Sequence, residues 1–266
     1  MKIVACIKYS LDTSEIKVDP TTHQLLLENV PKHVGHIDKN ILEAAVSLKE
    51  QYGGEVHAIT FGPASAQPGF REALAFGLED VILIEDPFDG AGGPAVTAKV
   101  LAEAISKIGD VDMVVCGEVS DDGFTYQVPP RLAQILKRPL LSFVRNVSID
   151  GDQIVADRDL GESAQTVSAP LPAIISVTEE TNTPRRPTLM DALKAKKKPV
   201  HLWQIEDDLG LSQDELAKRI LLQAVETEGV VIHRKQKMLR GSDAAELANQ
   251  LIDYLIEEQI LSERSA

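Results

Sequence analysis

Five short runs of apolar, largely β-branched residues punctuate the chain: IVACI at 3–7, EVHAIT at 55–60, VILIE at 81–85, VDMVVC at 111–116 and PAIISV at 172–177. Strands this continuously apolar are buried on both faces, as in a parallel sheet with crossover helices. Helical patterns separate them. Ile41, Ala45, Leu48 and Tyr52 recur at i, i+4, i+7 and i+11, with Asp38 placed to cap the helix and Gly53 to end it. Ala73 to Phe76 closes on Gly77, and Val96, Val100, Ala104 and Ile108 close on Gly109. A further helix starts near Val128, where Pro129 and Pro130 are acceptable because first-turn amides have no intrahelical partner. This order predicts an α/β, doubly wound, mostly parallel sheet.

After Leu140 the pattern changes. Asp150-Gly151, between VSI and QIVA, signals a two-residue turn and hence a β-hairpin insertion. Residues 179–200 are polar, hold Pro184, Pro187 and Pro199, and show no strand pattern, so they are expected to project from the sheet. Beyond Trp203, two helices carry capping boxes, Ser212/Glu215 and Asp243/Glu246. The second aligns Leu247, Leu251, Tyr254 and Leu255 in a stripe that so short a tail cannot cover by itself. The 266 residues therefore divide into an α/β domain over 1–205, including the loop 179–200, and a helical C-terminal arm over 206–266.

Charge excludes several partners. A net −14 argues against general affinity for nucleic acid or anionic membrane, and 4% aromatic residues with one Trp leave few stacking platforms for single strands. The balance is uneven, however. Between Arg185 and Lys198 six basic side chains face only Asp191, giving +5 locally and −19 elsewhere. Cys6 and Cys116 lie in apolar runs without CxxC or zinc spacing and read as reduced core thiols. The opening MKIVACIKYS is too short in apolar residues for a signal peptide, and no window suits a membrane span, so a soluble cytoplasmic chain is expected.

No GxGxxG, Walker-type, HExxH or GxSxG pattern is present, and Gly90-Ala-Gly-Gly93 reads as a simple turn. Glu179 and Glu180, read as adjacent strand residues, face opposite sides and make no acid/base dyad. One loop is more informative. GEVSDDGFTYQV, Gly117 to Val128, follows a buried strand and precedes a helix, at the carboxyl edge where open α/β sheets bind ligands. Its turn residues, the Thr125 hydroxyl, the Gln127 amide and the free amides of the next helix suit a phosphate or a ribose. In the basic island, Leu189 is an apolar residue set among charges, a candidate anchor for a partner's pocket.

The stretch Glu180 to Lys198, ETNTPRRPTLMDALKAKKK, resembles the signature segment of the β subunit of electron transfer flavoproteins. The resemblance extends to the MKIVACIK opening, Glu43 to Glu50, Phe61-Gly-Pro63, Glu72 to Gly77 and Cys116-Gly117. It implies a Rossmann-like domain that is not an enzyme by itself. Such a chain pairs with an α subunit carrying the redox FAD and passes electrons from acyl-CoA-type dehydrogenases, as in fatty acid oxidation, to a quinone reductase or other acceptor. It also holds AMP, or a second FAD in electron-bifurcating members. By alignment, Cys6, Gly35, His36, Ile37, Asp38, Phe61 and the loop Gly117, Glu118, Val119, Ser120, Asp121, Asp122, Gly123, Phe124, Thr125, Tyr126, Gln127 and Val128 fall on nucleotide-contacting positions. Leu189 falls on the leucine that inserts into partner dehydrogenases, flanked by Arg185, Lys194 and Lys197.

Two departures matter. Gly35-His36 stands where the family has Asn-Pro, removing an amide expected to touch the nucleotide. Gly123 and Thr125 favour the two-FAD type, whereas bulky Phe124 and Tyr126 would fill a second flavin's space, which tips the reading slightly to AMP. A free-standing nucleotide sensor of universal-stress type shares the sheet but needs a glycine-rich phosphate motif that this sequence lacks.

Overall fold

A computed structural model describes residues 1–220, 229 and 235–262. Contacts divide the chain into two compact units, one of residues 1–17 and 25–227, the other of 18–24 and 228–266. The strands are β1 (Lys2–Cys6), β2 (Tyr9–Leu11), the two-residue β3 (Lys17–Val18) and β4 (Leu25–Leu26), β5 (Lys32–Val34), β6 (Glu55–Gly62), β7 (Asp80–Glu85), β8 (Met113–Gly117), β9 (Leu140–Asp150), β10 (Gln153–Asp159), β11 (Ala164–Pro170), β12 (Ala173–Val177) and β13 (Val200–Trp203). The helices are α1 (His36–Tyr52), α2 (Phe70–Ala75), α3 (Gly93–Ile108), α4 (Val128–Leu136), α5 (Leu189–Ala195), α6 (Gln213–Ala217) and α7 (Ala244–Glu257). None is long and apolar enough to cross a membrane among the described residues.

Nine strands form one sheet in the order β11-β10-β9-β12-β8-β1-β6-β7-β13. The seven from β9 to β13 are mutually parallel, and only the β9-β10-β11 extension is antiparallel. The expected doubly wound α/β sheet is thus present. Alternate β1 residues feed two cores: Ile3 and Ala5 pack on the α1/α2 face, Val4 and Cys6 on the α3/α4 face. Ile205, Leu216 and the partly buried Leu209, Leu211 and Ile220 join the second core, so residues 205–220 pack with the sheet.

Several local expectations shift. Asp38 does not cap α1; Gly35 occupies the N-cap and Asp38 sits inside the first turn, its carboxylate drawn to the Lys8 amide at 2.7 Å. The hairpin loop is Gly151-Asp152 between paired Asp150 and Gln153, one residue later than the sequence suggested, with Gly151 at φ 62°. Glu179 and Glu180 lie in a 3-10 turn, not a strand.

Residues 179–200 do not project freely. Asn40 Nδ2 donates to Glu179 O (3.1 Å) and Asn182 O (2.9 Å), Asn182 Nδ2 donates back to Asn40 O (3.0 Å), and Arg71 Nη1 donates to Ala195 O and Lys198 O at 3.0 and 2.6 Å. Arg185 grips α1 through Glu43 (2.8 Å) and Glu50 (2.7 Å). The segment then feeds edge strand β13, and its exposed large apolar side chains, Leu189, Met190 and Leu193, all lie on α5. In the second unit, Asp243 accepts the Glu246 amide at the start of α7, and no residue of α7 is buried.

Candidate functional site

β1 is the switch point of the sheet: the chain proceeds outward through β6 and β7, then returns to β8 on the other side of β1. Crossovers that leave in opposite directions open a crevice beyond the carboxyl ends of the two strands. A cleft of about 520 Å³ lies there, a size within the range of small-molecule sites. Its floor is the β1/β8 pair, where the register of Ala5 opposite Val115 brings Cys6 beside Cys116. Both cysteines are free and buried. A hydrogen bond with Cys116, then burial, pushes the Cys6 thiol well up, so at neutral pH it is uncharged and no ready nucleophile.

One wall comes from the start of α1. Asp38 is almost wholly buried and lines the cleft. Burial, reinforced by Asp121 and Asp122 and opposed by the Lys8 amide, pushes its carboxyl up to about 7. A Cβ at Gly35 beside it would lie 2.6 Å from Asp38 Oδ2 and 2.7 Å from Asp121 Oδ2, so a side chain there would have to displace these carboxyl ends. Asp121 itself accepts the His36 amide at 2.8 Å. Two carboxyl oxygens thus crowd the place of the side chain that Gly35 lacks.

The opposite wall is the β8–α4 loop. Gly117 starts it at a close approach, since a Cβ would meet Val119 O at 2.8 Å and Ile37 Cγ1 at 2.9 Å. Ser120 O accepts the amides of Gly123 (3.2 Å) and Phe124 (3.1 Å), closing a turn. Lys8 Nζ reaches Asp122 at 2.7 Å; burial opposes ionisation of Asp122, but Lys8 outweighs it and holds the carboxyl below its usual range. Burial pushes Glu118 up, helped by Glu180 and Glu179. Gln127 turns its amide oxygen to Arg131 at 2.8 Å, which engages one end of the group expected at the ligand.

Most of the expected residues converge. Cys6, Asp38, Phe61, Gly117, Glu118, Val119, Ser120, Asp122, Gly123, Thr125, Tyr126, Gln127 and Val128 all line the cleft. Gly35, His36, Ile37, Asp121 and Phe124 do not: Ile37 is core, Asp121 binds the His36 amide, and Phe124 is 63% exposed. Phe124 and Tyr126 adopt left-handed φ of 46° and 56° and stack edge to face at 6.0 Å, with the Phe124 ring directed away from the cleft. Bulk at position 124 does not fill the space. The sequence missed two contributors. The antiparallel pair β2/β5, with Lys8 just before it, brings Ser10 and Lys32 to the wall, and Gly90, Gly92 and Gly93 line it at the N-terminus of α3, where Asp86 holds the amides of Phe88 and Gly90 at 2.8 and 2.9 Å. That glycine run after a strand and before a helix was the available signal.

Away from the cleft, Leu189 is 78% exposed on α5, whose start is fixed by reciprocal Thr188/Asp191 capping. Lys194 and Lys197 are exposed nearby. Arg185 differs, its guanidinium being committed to Glu43 and Glu50.

These features define a class: a doubly wound α/β domain with a ligand-sized cleft at its switch point and an anchored helix presenting an apolar tip. The electron transfer flavoprotein domain model matches residues 24–208. An electron transfer flavoprotein subunit beta of Thermoanaerobacterium thermosaccharolyticum is 36% identical over 81% of this chain and 83% of its own. The caffeyl-CoA reductase-Etf complex subunit CarD of Acetobacterium woodii is 31% identical over 98% of this chain and 100% of its own. Protein FixA of Azorhizobium caulinodans is 36% identical over 78% of this chain and 76% of its own. The chain belongs to the electron transfer flavoprotein family, as a β subunit. Such subunits are electron carriers rather than enzymes, and the family implies an α-subunit partner.

Proposed function

We propose that this β subunit holds an adenine nucleotide in the switch-point cleft, supports the FAD of its α subunit, and docks partner dehydrogenases of acyl-CoA type through the α5 apex. Electrons then pass to a quinone reductase or other acceptor. The observation that carries this reading is the convergence of Cys6, Asp38, Phe61 and most of Gly117–Val128 on one cleft. The lining fits a nucleotide: Lys8 and Lys32 supply positive charge, glycine loops allow close backbone approach, and α3 and α4 begin at the rim. The flavin, when bound by the heterodimer, supplies the redox chemistry. This chain's residues bind, orient and exclude water, and the apolar stripe of the C-terminal arm on α7 packs on the α subunit. Its place is the cytoplasm.

AMP is the nucleotide we favour from the sequence. A second FAD, as in an electron-bifurcating member, is supported by one specific observation: Phe124 is exposed outside the cleft, so of the two bulky residues only Tyr126 lines it. Acid release of nucleotides from the purified heterodimer separates the two. One FAD and one AMP per heterodimer is the expected result; two FAD would establish the second reading, and FAD with no further nucleotide would remove the role given to the cleft.

A further inference from the structure

The amino ends of β6, β7 and β13, at the opposite end of the sheet from the cleft, carry a cluster of titratable side chains that the proposed function does not use. His57 of β6 lies directly across from Asp80 of β7, and His201 of β13 pairs with Ile82, two residues along from Asp80. Side chains two apart on a strand share a face, so the pleat brings both imidazoles to one carboxylate. His57 Nδ1 lies 2.7 Å from Asp80 Oδ1, and His201 Nε2 lies 3.6 Å from Asp80 Oδ2. The other ring nitrogen of His57, Nε2, faces Glu55 Oε1 at 3.5 Å.

This geometry selects a protonation state. A neutral imidazole has one N–H, so its second nitrogen would turn a lone pair on a carboxylate, whereas the imidazolium donates on both sides. His57 and Asp80 are mostly buried, and their attraction is little screened; Glu55 and His201 are about half exposed. Lys2 of β1 lies 3.7 Å from Glu55 and donates to Gly109 O at 3.2 Å. On α3, which packs over β6, Lys99 pairs with Glu103, and Lys107 turns to Asp208 and the Trp203 ring. The hydrogen bond to Asp80 holds the His57 ring above its ordinary value, against burial and with Glu55 adding to it.

We propose that Asp80, held by His57 from one side and His201 from the other, is a proton-operated latch that fastens edge strand β13 to the sheet, and with it the end of segment 179–200. Acid closes it. With both rings charged, Asp80 draws β6 and β13 onto β7; loss of the protons removes both attractions. A histidine raised in the folded protein contributes stability that is present in full below its unfolded value, near 6.5, and lost as pH rises through its folded value, so the latch loosens upward from about pH 6.5. The inference is independent of what the cleft holds and of what α5 docks.

Amide hydrogen exchange on the full chain from pH 6 to pH 9, with each rate referred to that of an unstructured peptide at the same pH, reads the latch strand by strand. Protection of the β13 amides is expected to fall about fivefold in wild type, a modest step because two of the four groups are half exposed, while β8 and β12 in the middle of the sheet keep theirs. In Asp80→Asn, which keeps the shape and removes the charge, β13 protection is low already at pH 6 and does not change. A fall of the same size in β8 and β12 would overturn the inference, since the cluster would then stabilise the whole unit and latch no single strand. So would an equal fall in β13 of Asp80→Asn, which would put the titrating group elsewhere, or β13 protection independent of pH in wild type. Should Asp80→Asn fold poorly, His57→Gln and His201→Gln take its place, each expected to show a smaller fall than wild type; an unchanged fivefold fall in both would refute the latch.

Discussion

Leu189→Ala slows electron delivery from a partner dehydrogenase to the heterodimer about thirtyfold at low partner concentration, while nucleotide content and thermal stability stay as in wild type. The magnitude follows from a central apolar anchor, whose truncation costs about 2 kcal/mol of binding. Leu189 is 78% exposed and lies outside the cleft, so in the unbound protein its side chain supports little. The stability change should stay within about 0.5 kcal/mol. Because the lost interaction forms on docking, the effect falls on the apparent KM for the heterodimer as acceptor, with turnover at saturation nearly unchanged. Stopped-flow reduction of the heterodimer by a reduced dehydrogenase measures both. Wild-type kinetics at all concentrations would take the docking role away from α5.

Arg185→Ala acts through the fold. Its guanidinium bridges Glu43 at 2.8 Å and Glu50 at 2.7 Å, and its backbone amide adds a bond to Glu43 at 2.9 Å. Glu50 is largely exposed and contributes little, but Glu43 is 8% exposed and would be left as a buried carboxylate without its cation. A loss of about 2–3 kcal/mol is expected at pH 7, discounted for the solvent that reaches Arg185. For a unit of about two hundred residues this lowers Tm by roughly 5–10 °C. The pH dependence has a definite sign. Burial opposes ionisation of Glu43, yet Arg185 outweighs it, and Glu43 and Glu50 both lie below the ordinary Glu value. A carboxylate with a depressed folded pKa contributes stability that is present above its unfolded value and lost as pH falls through its folded value. The gap in Tm between wild type and Arg185→Ala should therefore be widest near neutrality and shrink below about pH 4.3, the usual Glu value. Equal melting temperatures at pH 7 would show that Arg185 does not hold the 179–200 segment.

The core of the sheet could be read from the chain because its strands carry their burial in their composition. IVACI, VILIE and MVVCG are apolar at successive positions, and in the structure they are covered on both faces. β11 and β13 escaped the same test. AQTVSAP and VHLW lie at the two sheet edges and expose polar and apolar residues alike, so neither periodicity nor hydrophobicity marks them. Asp38 shows a different limit. Capping rules weigh a carboxylate against amides two or three residues away, whereas its partner is the Lys8 amide 30 residues earlier, brought close only by the crossover from β1 to α1. Side-chain direction was equally hidden. Phe124 counts as bulk in a sequence, but a left-handed backbone at φ 46° carries its ring outward. The glycines at 90–93 were visible and undervalued, because only the strand order places the β7–α3 loop beside the β8–α4 loop.

On the function proposed above, this chain is the nucleotide-holding β half of an electron-carrying heterodimer. Co-expression with its α subunit, followed by size and flavin measurement on the purified product and reduction by a dehydrogenase, tests it most directly. The expected product is a one-to-one heterodimer that carries flavin and is reduced, from a chain that carries no flavin alone. A chain that stays alone and flavin-free in the presence of the α subunit, or that hydrolyses ATP by itself, would contradict it.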